Sequence, residues 1–162
     1  MAISKDILAT YRGPATVVRR LLSMGPREDR ALVYLMAGCA LVFTSQLPAL
    51  SRQAYLTGAE LNPLLGGALL GWVFIAPLFF YVLAAISHAV ALGLGGRGDW
   101  YGARLALFWA FLASAPLILL YGLVAGFVGP GPALNLTGGF WVVAFLWFWI
   151  AGLREAEKGV MA

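Results

Sequence analysis

The run Leu105–Leu153, LALFWAFLASAPLILLYGLVAGFVGPGPALNLTGGFWVVAFLWFWIAGL, contains no Asp, Glu, Lys or Arg. Its 49 residues suffice to cross a bilayer twice with a turn between, since a helix needs about 20 residues to traverse roughly 30 Å of hydrocarbon. Two further charge-free runs lie upstream, Ala31–Ser51 and Leu61–Gly96, the second holding the chain's one histidine, His88. The chain is 62% hydrophobic over 162 residues, with a mean hydropathy of +0.87. A soluble domain of this size has no core large enough to hide so much apolar surface. The expected fold is an all-α polytopic membrane bundle.

Four spans are expected, at about 27–50, 63–93, 99–126 and 134–152. Pro26 is placed at the start of the first, followed by Glu28 and Asp29 at its positive end. Asn62-Pro63 opens the second, Asp99 caps the third, and Gly129-Pro130-Gly131-Pro132 breaks the chain before the fourth. Residues 1–25 precede this 26–153 bundle and a tail, 154–162, follows it. Lys5, Arg12, Arg19, Arg20, Arg27 and Arg30 lie before the first span, Arg97 and Arg104 flank the second connection, and Arg154 and Lys158 lie in the tail. Only Arg52 falls on the other side. Positive charge marks the cytoplasmic face, so both termini are expected inside, in a bacterial inner membrane.

The first segment has its own pattern. Ile3, Ile7, Tyr11, Val18 and Leu22 recur at helical spacing, and Lys5, Arg12, Arg19 and Arg20 fall elsewhere on the wheel. Amphipathic helices lying in the headgroup region are expected, split at Gly13-Pro14, with the basic residues meeting anionic lipid at about 1 kcal/mol each. A first segment that is basic, with its first apolar run only at Ala31, is not expected to act as a cleaved signal. The net charge of +4 reflects topology and implies no nucleic-acid partner.

Within the spans, small residues recur four apart: Gly67 and Gly71, then Ala106, Ala110 and Ser114, then Gly122 and Gly126. Such residues let helices approach where lipid supplies no hydrophobic drive between them. Pro77 and Pro116 mark kinks at similar depth, and with His88 they are the candidates for a cavity or hinge. His88 has no carboxylate in any span, so a neutral ring hydrogen-bonded to a neighbouring helix is expected. The fourth span carries Trp141, Phe145, Trp147, Phe148 and Trp149, a candidate face for lipid or a partner.

Catalysis is not expected. No span holds paired carboxylates or several histidines, Ser114 has no evident base, and Gly95-Gly96-Arg97-Gly98 lacks the spacing of a phosphate loop. No cofactor is expected either. One cysteine, Cys39, allows no internal disulfide.

Several landmarks together resemble the bacterial branch of the Yip family of Ypt/Rab-interacting membrane proteins. Tyr11-Arg12-Gly13-Pro14 and Val17-Val18-Arg19-Arg20-Leu21-Leu22 resemble its proline-then-basic segment. Gly95-Gly96-Arg97-Gly98-Asp99-Trp100 is similar to its glycine-rich connection, Ala106–Pro116 to its small-residue span, and Gly152-Leu153-Arg154-Glu155-Ala156 to the close of a late span. The resemblance implies a helical bundle, commonly drawn with five spans, and a non-enzymatic role. It carries over no GTPase contact. The resulting expectation is a scaffold or accessory subunit whose partner is another integral membrane protein or a second copy. The alternatives are a membrane-shaping or lipid-organising protein and, last, a small-solute permease using Pro77, Pro116 and His88.

Overall fold

The computed structural model describes residues 2–159. Among these the chain is all-helical, without strands: α1 (Ile3–Thr10), α2 (Pro14–Ser23), α3 (Glu28–Thr57), α4 (Leu61–Leu70), α5 (Ala76–Gly93), α6 (Trp100–Ala113), α7 (Ala115–Phe127) and α8 (Pro132–Glu157). A π-helical turn, Gly71–Ile75, joins α4 to α5 without a break. Three helices are long and apolar enough to cross a membrane: α3, the continuous α4–α5 run of 33 residues, and α8. A fourth crossing exists if α6 and α7, bent by 43° at Ser114, count as one.

Two prolines shape these spans in different ways. Pro77 lacks an N–H, and its ring would clash with the carbonyl four residues earlier. The chain answers by widening one turn just before it, so that Ala76 N–H reaches back to Gly71 O. Pro116 produces the break at Ser114, whose own hydroxyl donates to Phe111 O at 2.9 Å. A third proline, Pro48, sits inside α3, which continues to Thr57 rather than ending near Leu50. Other boundaries shift slightly. Pro26 lies outside α3, whose cap is Arg27, and α4 starts at Leu61 after Glu60, before the Asn62-Pro63 pair. Asp99 caps α6 as its position suggests, with Oδ1 accepting from Gly102 N at 2.7 Å.

The organising element is α6. From Leu105 to Ala113 every side chain is buried, enclosed by α1, α2, α3, α5 and α8. Its small residues set the spacing. Ala106 meets Gly152 of α8, where an added Cβ would lie 3.4 Å from the Ala106 methyl, and Phe111 presses onto Gly38 of α3, where a Cβ would come within 2.6 Å of the ring. Ala110 is fully buried in the same helix.

The N-terminal helices pack against this assembly. The apolar side of α2, Val17, Val18 and Leu21, is buried at the ends of α6 and α8, and Val18 lies against Gly152. Thr10 of α1 is fully buried and accepts a hydrogen bond from Trp109 Nε1 at 3.1 Å, while Tyr11 meets Phe148 edge-on. Gly13-Pro14 separates α1 from α2, with Pro14 at the helix start.

Beyond Ser114, α7 leaves the line of α6 and packs on α3 through its glycines. A Cβ on Gly122 would fall 1.9 Å from Ser45 O, and one on Gly126 would fall 2.2 Å from the Pro48 ring. Arg52 closes this end by donating to Gly126 O at 3.4 Å, placing a cation at the C-terminus of α7. By contrast Gly67 and Gly71 have open space where a Cβ would stand. Gly122→Ala should therefore cost about 1–3 kcal/mol through overpacking, whereas Gly67→Ala should stay within about 0.5 kcal/mol of the parent. Thermal unfolding in detergent, run on both variants, checks the contrast.

Candidate functional site

Three features of this fold gather groups that could act. The first is the charged end of the bundle. Arg19 of α2 donates from Nε to Glu155 of α8 at 3.0 Å, and Lys158 pairs with the same carboxylate. Arg20 pairs with Asp6, Arg104 with Glu28, and Arg27 with Asp29 at 2.8 Å. Arg30 turns inward to the carbonyls of Leu21 and Gly25, closing the α2–α3 turn. Arg12 and Lys5 are exposed and make no ion pair among the described residues. Of the basic residues expected to meet anionic lipid, Arg19, Arg20 and Arg30 thus hold α2 to α8, α1 and α3.

The second feature is a buried histidine–carboxylate pair. His88 of α5 is 2% exposed, and its Nδ1 lies 2.6 Å from Glu157 Oε1. The edge of its ring meets Trp100, with centroids 4.5 Å apart. The other carboxylate oxygen of Glu157 accepts from Gly98 N at 3.1 Å, and its main-chain oxygen accepts from Arg97 N at 2.9 Å. This explains the glycine-rich connection. The end of α8 lies so close that a Cβ on Gly96 would sit 2.6 Å from the Glu157 carboxylate, and one on Gly98 would sit 2.3 Å from Ala156 O. Sequence alone finds no partner for His88 because Glu157 lies beyond the apolar part of the fourth span. Helix α8 continues to Glu157 and carries the carboxylate back over the end of α5.

The third feature is an apolar cleft of about 900 Å³ between α3, α4–α5, α7 and α8. The 43° bend at Ser114 swings α7 toward α3, and nothing replaces it beside α4, which packs on α3 rather than along α8. Gly71, Gly122 and Gly138 lie along its walls, Gly71 with open space beside it, and Phe111, Trp141 and Phe145 are among its aromatic lining. Trp141 stacks on Phe145 and donates from Nε1 to Ser114 Oγ at 3.2 Å, so that hydroxyl is held at the bend. Pro77 and Pro116 flank the cleft without lining it, and His88 stands apart from it at the charged end.

No family model, curated protein or solved structure matches this chain.

The aromatics of α8 divide among distinct surroundings. Trp141, Phe145 and Trp149 form an inward ladder at four-residue spacing, partly covered. Phe148, expected on an outer face, is instead 1% exposed, because helical phase turns it onto Tyr11 and α6. Trp147 is half exposed and continues an outward stripe with Phe140 and Val143.

Of these features the His88–Glu157 pair makes the sharpest demand on stability. Removing one member leaves the other buried without its partner, which typically costs about 3–5 kcal/mol. His88→Ala should lose that much and expose the Arg97 and Gly98 amides to hydrogen exchange, while Glu157→Gln, which keeps one of the two acceptor oxygens, should lose less. The Glu155 carboxyl is held below its ordinary range by hydrogen bonds from Arg19 and Lys158. A carboxylate lowered in the folded state stabilises above the unfolded value and loses that contribution as pH falls through the folded one. Docking of α2 should hence weaken as pH drops below about 4.3, and Arg19→Gln should flatten that dependence in an exchange experiment on α2 amides.

Proposed function

We propose that this chain is a non-catalytic membrane protein that serves as a scaffold or accessory subunit of a membrane complex. Its four crossings would be α3, α4–α5, the bent α6–α7 pair and α8. Ten of its eleven basic residues would then lie on the cytoplasmic side of a bacterial inner membrane, together with both termini. The family proposed for it is the bacterial branch of the Yip family, on the motifs quoted above, without a GTPase partner.

The observation that supports a partner-binding role is the outward face of α8. Leu136, Phe140, Val143, Trp147 and Ile150 follow one another at steps of three and four, each between 48% and 68% exposed. Aromatic anchors of this kind supply large, rigid contact area at low entropic cost. The partner would be another integral membrane protein or a second copy of this chain. A lipid-organising role through wedge-like N-terminal helices has less support. The apolar side of α2 is buried against α6 and α8, and Arg19 and Arg20 pair with carboxylates.

Gentle extraction of the tagged chain from its native membrane should recover a second membrane protein, or a second copy, at fixed stoichiometry. The double variant Phe140→Ala/Trp147→Ala should cut that recovery at least tenfold while leaving the thermal unfolding of the isolated chain unchanged. Recovery of lipid alone from the parent protein would overturn the proposal.

A further inference from the structure

The cleft has a length, a bore and a rim, and these together choose among possible occupants. Along the α4–α5 run its lining extends from Ala68 to Leu83, a span of about 22 Å at 1.5 Å per residue. Distributing about 900 Å³ over that length leaves a continuous section of roughly 40 Å², ample for an extended hydrocarbon chain, and the walls around it are almost wholly apolar.

The rim carries the charge. Ala49 of α3 lines the cleft, and Arg52 stands one helical turn beyond it on the same face. Arg52 is the one basic residue between Arg30 and Arg97, so its end of the bundle has no other cation. Its only hydrogen bond among the described residues is the 3.4 Å contact to Gly126 O. It makes no ion pair there. A guanidinium so placed offers a fork of N–H donors suited to a phosphate.

We propose that the cleft binds a phospholipid with an anionic headgroup, its acyl chain between α4 and α8 and its phosphate at Arg52. Entry is lateral, because α4 and α8 are not packed along one another. Trp141 and Phe145 would flank the chain, and Gly71 leaves room for it. This site is separate from the outward face of α8, so it stands or falls independently of the partner proposal.

The test uses the purified full-length chain in lipid nanodiscs doped with phosphatidylglycerol that carries a photoactivatable group on its acyl chain. Adducts should concentrate on cleft-lining residues such as Phe79 and Val142, ahead of outward residues such as Val82 and Val143. Gly71→Leu places a side chain in a space now empty within 4 Å of its Cβ position, and it should cut cleft labelling at least tenfold. Ala68→Leu provides a second blockade should the first variant misfold, with circular dichroism and gel filtration confirming the fold. Phosphatidylcholine with the same photoactivatable chain should label the parent cleft several-fold less, and Arg52→Gln should abolish that difference. Adducts spread evenly over inward and outward residues, labelling that survives both blockades in folded protein, or equal labelling by the two lipids in the parent protein would each overturn the proposal.

Discussion

The molecule is arranged around a helix that is buried within the chain along most of its length. Helix α6 is enclosed along Leu105–Ala113, and a helix buried all round must find close partners on every side. Its alanines and the glycines facing it make that possible. Gly152 on α8 and Gly38 on α3 admit Ala106 and Phe111 at distances that any larger residue would forbid. In a membrane, where lipid is as apolar as the core, such contacts replace the hydrophobic effect as the source of packing energy. The N-terminal helices complete the enclosure, so residues with the sequence pattern of a surface anchor become part of the packed unit.

The bend at Ser114 divides the molecule into unlike halves. On one side of it lie the tightly filled packing of α6, the ion pairs and the His88–Glu157 contact. On the other, α7 follows α3 through Gly122 and Gly126, and the space it abandons becomes the cleft. Two prolines that look equivalent in sequence have unequal effects. Pro116 redirects a helix by 43°, while Pro77 is absorbed by one widened turn within a continuous helix. The difference is local. A π turn can absorb the missing donor without changing the helix axis much, whereas Ser114 ends α6 and starts α7 with its hydroxyl engaged by Phe111 and Trp141.

The charged end has a corresponding logic. Nearly every carboxylate there holds two helices or a loop together: Glu155 ties α8 to α2, Glu28 ties α3 to α6, and Glu157 ties α8 to α5 and the glycine connection. Basic residues can serve as ties there because six of the seven acidic residues lie on the same side, Glu60 at the start of α4 being at the opposite end. Arg52 is the exception, a cation at the opposite end whose one hydrogen bond among the described residues caps α7. That isolation gives the open half of the molecule a polar landmark.

The charge-free runs, the proline and glycine breaks and the Asp99 cap determine by themselves that the chain is helical and that several helices have membrane-spanning length. Those features are local, since hydrocarbon thickness and backbone hydrogen bonding allow few alternatives to a long apolar helix. The small residues Gly122, Gly126 and Ala106 are also legible as contact points, though the same pattern at Gly67 and Gly71 meets nothing within the chain. What tertiary structure alone decided is which residues meet across long sequence separations. His88 finds Glu157, Trp109 finds Thr10, Phe148 turns inward, and a cleft opens where α7 departs. Each depends on helix phase, on the exact end of a helix or on the direction of a kink. Errors of one or two residues in those quantities, which hydropathy cannot resolve, reverse the face a side chain presents.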